Sequence, residues 1–152
     1  MTRAVYPGTF DPFTPGHFDV ADRARRLFDH LTILVAVNGD KRPSRSAAER
    51  AERIAGWENV TVASWHGLTV DYCRLHDCGV IVRGVRNATD YQRECELATM
   101  NEALGVATLF LPASPELVAM SSTAVRATPP PSAPASRAPG SRGSGGNGRP
   151  AA

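Results

Sequence analysis

The chain has 152 residues, 42% hydrophobic and 21% charged. That is enough for one ordinary globular domain with a buried core. No apolar run reaches the length of a membrane span, and Pro7 and Gly8 interrupt the amino-terminal stretch before an export-signal core could form, so a cytoplasmic protein away from membranes is expected. The formal charge of +2 depends on Arg137, Arg142 and Arg149, which lie past residue 126 where there is no acidic residue; removing those three leaves −1 for residues 1–126, which argues against a nucleic-acid platform.

In chain order, the pattern alternates strand and helix. A strand is predicted near Arg3–Tyr6, then a helix over Gly16–Phe28 with Phe18, Ala21, Ala24 and Phe28 at inward spacing. Leu31–Val37 is an almost unbroken apolar run, as in a strand covered on both faces. Ser46–Gly56 reads as a helix with a serine cap and a terminal glycine, Val60–Trp65 as a strand, Leu68–His76 as a helix and Val80–Val82 as a short strand. Asp90–Leu104 reads as a long helix with Tyr91, Cys95, Ala98, Met100 and Leu104 inward, followed by a strand over Ala107–Leu111 and a short helix near Ser122.

This succession predicts an α/β fold: a single Rossmann-like domain over residues 1–126, with a five-stranded parallel sheet and helices on both faces. Residues 127–152 are nearly all Pro, Ser, Ala, Gly and Arg, and that composition predicts a disordered tail. The three cysteines, Cys73, Cys78 and Cys95, form no Cys-x-x-Cys pair and are expected to be buried or half-buried thiols. No Gly-x-Gly-x-x-Gly follows any strand, which argues against a nicotinamide dehydrogenase.

In parallel sheets, ligands bind beyond the carboxyl ends of strands, so the loops there are where chemistry is expected. The first reads Tyr6-Pro7-Gly8-Thr9-Phe10-Asp11-Pro12-Phe13-Thr14-Pro15-Gly16-His17. Its histidine falls at a helix start, where free amides and the dipole favour a phosphate; capping the helix is the other role open to it. The second loop holds Lys41, the single lysine among seventeen Lys and Arg residues. A compact, flexible ammonium suits a phosphate that moves during reaction. After the fourth strand come Arg83-Gly84-Val85-Arg86, two guanidiniums able to grip phosphates or to pair with Asp90 and Glu94. Met120-Ser121-Ser122-Thr123 places hydroxyls at a helix start, as a phosphate cradle or a plain cap.

Taken together, YPGTFDPFTPGH, the lone lysine, RGVRNATDYQRECELATMN and MSSTAVR resemble the phosphopantetheine adenylyltransferases of the nucleotidylyltransferase superfamily, whose (His/Thr)-x-Gly-His motif appears here as Thr14-Pro15-Gly16-His17. The resemblance runs from Ala4 to Arg126 and implies reversible transfer of AMP from ATP to 4′-phosphopantetheine, giving 3′-dephospho-coenzyme A and pyrophosphate, with Mg2+ accompanying ATP and a homohexameric assembly. It implies that His17 contacts the ATP phosphates and stabilises the transition state, with Lys41 and Arg86 also in the catalytic set. It assigns the acceptor to Thr9, Lys41, Thr69 and Arg83. It assigns ATP to Thr9, Phe10, His17, Gly84, Val85, Arg86, Glu94, Leu117, Val118, Ala119, Met120, Ser121, Ser122 and Thr123. It implies no dedicated metal ligands. Past Arg126 the family's last helices have no counterpart in the sequence, which leaves open a nucleotide binder without transfer activity. Another acceptor on the same fold, such as nicotinamide mononucleotide, is the alternative enzyme.

Overall fold

The computed structural model describes residues 1–37, 54 and 56–117. The elements are β1 (Arg3–Gly8), α1 (Pro15–Arg25), β2 (His30–Ala36), β3 (Val60–Trp65), α2 (Thr69–Leu75), β4 (Val80–Val85), α3 (Ala88–Ala103) and β5 (Ala107–Pro112), then a 3-10 turn at Pro115–Leu117. The expectations for Ser46–Gly56, apart from Ile54 and Gly56, for the helix near Ser122 and for the tail from 127 lie outside the described residues. No helix among those described is long and apolar enough to cross a membrane.

All five strands are parallel, in the order β3-β2-β1-β4-β5. The expected Rossmann-like sheet is therefore present. The apolar run of β2 is buried from Leu31 to Val35 because both its faces are covered. Alternation along the inner strands sends Ala4, Tyr6, Leu31, Ile33, Val35 and Val82 to a core with Val20, Ala21 and Ala24 of α1. On the opposite face, Val5, Leu34 and Ile81 pack with Val70, Tyr72 and Cys73 of α2. All three cysteines are free, with Cys73 and Cys78 buried and Cys95 half-buried, as expected.

Three local readings change. Helix α1 begins one residue early, with Thr14 as its cap and Pro15 at the first turn, and its buried positions are Val20, Ala21 and Ala24. Phe18 is instead 41% exposed and meets the edge of Trp57 at 4.9 Å between centroids. Strand β4 runs on through Arg83-Gly84-Val85, because β5 pairs with it as far as Val85↔Pro112. The arginine block is therefore partly strand, not wholly loop.

The largest change is α3, which has no buried residue. It packs on β4 and β5 at the edge of the sheet, so only a narrow strip is shielded. That strip is Asp90, Glu94, Cys95, Ala98 and Asn101, at helical spacing and partly polar. Tyr91, Met100 and Leu104 are exposed, although Tyr91 touches Phe110 at 5.3 Å. Met100 lies two residues past Ala98, about 200° further round the helix, and so falls out of phase with the strip.

Candidate active site

The chain leaves β1 for β2 and β3 on one side, then crosses back to β4 and β5 on the other. The crevice where the winding reverses, between β1 and β4, is the expected ligand position in such sheets. A cavity of about 540 Å³ opens there, at the ends of β1, β2 and β4. Thr9, Phe10, His17, Thr69, Arg83, Gly84, Arg86, Glu94 and Leu117 all line it. Val85 does not; its carbonyl accepts the Ala113 N–H at 2.8 Å and extends the sheet instead. Lys41 and residues Val118, Ala119, Met120, Ser121, Ser122 and Thr123 lie outside the described residues.

The first loop is built around an aromatic stack. Phe10 is 2% exposed and contacts the rings of Tyr6, Phe13 and His17 at 5.2, 5.0 and 5.1 Å. To deliver that ring inward its backbone takes φ of 48°, a conformation disfavoured for a bulky residue and held here by packing. The ring folds over Gly8, where an added Cβ would stand 2.8 Å from two of its carbons. Glycine is thus required at position 8 for close approach, and Phe10's side chain is core at the margin of the cavity.

His17 closes a reciprocal cap on α1. The Thr14 N–H donates to His17 Nδ1 at 3.1 Å, and the His17 N–H donates to Thr14 Oγ1 at 3.2 Å. The capping role weighed from sequence is therefore present, and it uses only one of the two ring nitrogens. With Nδ1 accepting, the ring is neutral and its proton sits on Nε2. Burial, then the Arg86 guanidinium, push His17 down to about 4, against a weaker upward pull from the Pro12 carbonyl. Four backbone N–H positions open a helix without intrahelical partners. Here Thr14 and His17 are satisfied by the cap and Pro15 has no N–H, so of these four positions only the Gly16 N–H finds no partner among the described residues. Gly16 lines the cavity. The helix therefore presents one amide and one imidazole beside the same space.

The two arginines are held by carboxylates. Arg83 donates through Nε and Nη2 to both oxygens of Glu94, at 2.7 and 2.6 Å, and through Nη1 to the Pro7 carbonyl at 3.3 Å. Such a fork-to-fork pair fixes the guanidinium plane. Glu94, 14% exposed, has both oxygens occupied and so acts on the cavity by orienting Arg83. Arg86 donates through Nε to Asp90 at 2.9 Å, and that bond holds the Asp90 carboxyl below its ordinary range. Its side chain is 47% exposed, so its remaining N–H groups reach solvent. The pairing considered from sequence is real, yet both cations still line the cavity.

Close packing explains Gly84. An added Cβ would stand 3.0 Å from Cγ2 of Val20, so α1 lies directly against the end of β4. Sequence reading missed Tyr6, Asp19, Arg23 and Ser114 around this end of the sheet. Tyr6 is buried, and its hydroxyl is pushed above its ordinary range mainly by that burial. Its apolar strand context gave no signal of a place beside the cavity.

Comparison with known proteins agrees with this geometry. Residues 5–128 match the cytidylyltransferase-like family. Phosphopantetheine adenylyltransferase of Bifidobacterium longum (strain DJO10A) is 46% identical over 133 residues, covering 83% of this chain and 80% of the relative. Its counterpart in Thermobifida fusca (strain YX) is 43% identical over 131 residues, with 83% and 80% covered. Among solved structures, the lipopolysaccharide core biosynthesis protein of Thermoplasma volcanium GSS1 superposes with a TM-score of 0.54 at 24% identity, covering 75% of this chain and 97% of that one, a likeness of fold. The NadR protein superposes with a TM-score of 0.55 at 17% identity, over 82% of this chain and 41% of its own, again a likeness of fold. With the first loop and the Arg83–Arg86 segment lining one cavity at the switch point and relatives matched over most of their length, the chain belongs to the phosphopantetheine adenylyltransferases, within the cytidylyltransferase-like family.

Proposed function

We propose that this protein transfers AMP from ATP to 4′-phosphopantetheine, releasing pyrophosphate and forming 3′-dephospho-coenzyme A, in the cavity between β1 and β4. The observation that carries the reading is the convergence there of His17, with its proton on Nε2, and the paired guanidiniums Arg83 and Arg86.

The acceptor's phosphate oxygen attacks the α-phosphorus of ATP, and the bond to the bridging oxygen breaks to free pyrophosphate. His17 Nε2–H and the Gly16 amide donate to phosphate oxygens as their charge grows, and Arg86 binds the ATP phosphates. Donors fixed before reaction need no reorganisation, which makes this form of stabilisation effective. Thr9, Arg83, Lys41 and Thr69 hold the acceptor. Gly84 leaves backbone accessible beside the nucleotide, Val85 and Glu94 act through the sheet and through Arg83, and Leu117 with residues 118–123 completes the ATP side. Positioning and charge stabilisation suffice for direct phosphoryl-group chemistry without a covalent intermediate.

Magnesium enters with ATP, ligated chiefly by phosphates and water. The carboxylates lining the cavity support this, since Asp90 and Glu94 are both engaged by arginines. A cytoplasmic hexamer is part of the same reading through the family resemblance; the exposed Tyr91, Leu97 and Met100 of α3 and Leu104 just past it offer apolar surface for contact between copies.

The deciding experiment mixes purified protein with ATP, magnesium and 4′-phosphopantetheine and follows pyrophosphate together with dephospho-coenzyme A by mass spectrometry. Pyrophosphate release with nicotinamide mononucleotide but not with phosphopantetheine would replace the acceptor. ATP binding without release would leave a nucleotide binder. Light scattering of the eluting protein tests the hexamer.

A further inference from the structure

Asp19 and Arg23 sit on α1 two and six residues beyond His17, and neither lines the cavity. Both reach across the sheet end to the exit of β5. One oxygen of Asp19, Oδ2, accepts from Ser114 Oγ at 3.0 Å and from Arg23 Nη2 at 2.8 Å. The same Arg23 nitrogen donates to the Pro112 carbonyl at 2.6 Å. These bonds share two atoms and close on one another, joining residues 89 and 95 positions apart in sequence.

What they hold is a wall of the cavity. Sheet pairing on this side ends where the Ala113 N–H meets the Val85 carbonyl. Beyond it the chain turns, with the Leu117 N–H donating to the Ser114 carbonyl at 2.9 Å. Ala113 and Leu117 both line the cavity, as do Gly16 and His17 at the start of α1. The span between His17 and this wall is therefore set by the helix that carries both His17 and the clamp.

We infer that Asp19, Arg23 and Ser114 are positioning residues for ATP: they lock the β5 exit to α1 and so fix the nucleotide-side wall at the distance from His17 that adenylyl transfer needs. This rests on the proposed function. Asp19 and Arg23 are 25% and 36% exposed, so their charge attraction is partly screened and the effect comes mainly from geometry.

The test uses Ser114→Ala, Asp19→Ala and Ser114→Thr in the full chain. The first two each break the Ser114–Asp19 bond and should raise the KM for ATP roughly 3- to 10-fold, on the scale of a lost hydrogen bond, with the KM for 4′-phosphopantetheine unchanged. Ser114→Thr, which keeps the hydroxyl, should restore the wild-type value. The double variant should fall short of the product of the single effects, because the two residues share one bond. A merely structural role would lower the active fraction, so that kcat falls with both KM values constant; that result overturns the inference, as does an equal rise in both KM values or no change. If the wild-type protein shows no transfer, the functional reading fails on its own account. ATP dissociation constants from calorimetry then decide: a 3- to 10-fold weakening in the variants supports the clamp on the same bond arithmetic, whereas unaltered or undetectable ATP binding overturns it.

Discussion

Replacing His17 by alanine and, separately, by glutamine pulls apart the two jobs of its ring. Alanine removes the acceptor for the Thr14 N–H, now at 3.1 Å, and the ring contacts with Phe10 and Phe13 at 5.1 and 5.6 Å. It keeps the donation from its own N–H to Thr14 Oγ1. One hydrogen bond and two modest ring contacts amount to roughly 1–2 kcal/mol of stability, or a fall of several degrees in the melting temperature. Glutamine three residues after a threonine cap is itself a capping-box residue. It should restore about half of that loss, since its carbonyl can accept from Thr14 while the ring contacts stay lost. Neither variant supplies the Nε2–H at the same place, so both should lose roughly 100- to 1,000-fold in kcat. Pyrophosphate release at saturating ATP and phosphopantetheine measures the first effect, and thermal unfolding measures the second. A glutamine variant with wild-type turnover would refute the donor role of the imidazole. Equal destabilisation of the two variants would refute the contribution of the cap.

Gly8→Ala should destabilise by about 1–3 kcal/mol, because its Cβ would meet the Phe10 ring at 2.8 Å; displacing that ring also disturbs His17, so kcat should fall with the melting temperature, and unchanged values would show that the stack has slack. The pH dependence of stability follows from His17, which sits at about 4 in the fold against an ordinary 6.5 when unfolded. Between those values the unfolded chain holds the proton and the fold does not, so stability falls as pH drops through that window and this group adds no slope above it. In urea unfolding the wild-type advantage over His17→Gln, roughly 0.5–1 kcal/mol at neutral pH, should therefore shrink as pH falls below 6.5 and reverse before about pH 4, because the lowered pKa outweighs it; a constant difference would contradict the shift. Burial pushes the Cys73 thiol up to about 12 and raises Cys78 as well. With Ellman's reagent on the folded protein, half-buried Cys95 should react first, and Cys73 and Cys78, 1% and 4% exposed, only on unfolding; simultaneous reaction of all three would place those thiols outside the core.

The chain itself determined the strand and helix alternation, the buried β2 and the identity of the first loop and the Arg83–Arg86 segment that line the cavity. These signals are local: periodicity over a few residues, a cap, a glycine beside a motif. Periodicity misjudged α3 because it reports which residues share a face, not how much neighbour that face has; an edge position left Met100 and Leu104 in the open. Likewise β4 appeared to end at Val82, and only its pairing with β5 carries it to Val85.

Tertiary structure decided matters that depend on groups far apart in sequence. Phe10 as the ring folded over Gly8, Glu94 as the carboxylate that orients Arg83, and Ser114 tied to Asp19 each require the backbone to have closed first. The tautomer of His17 was fixed in the same way, by the geometry of one amide three residues earlier. A sequence names the donors available to a phosphate; which nitrogen carries the proton, and which arginine is already held, follow from distances that exist only once the chain has folded.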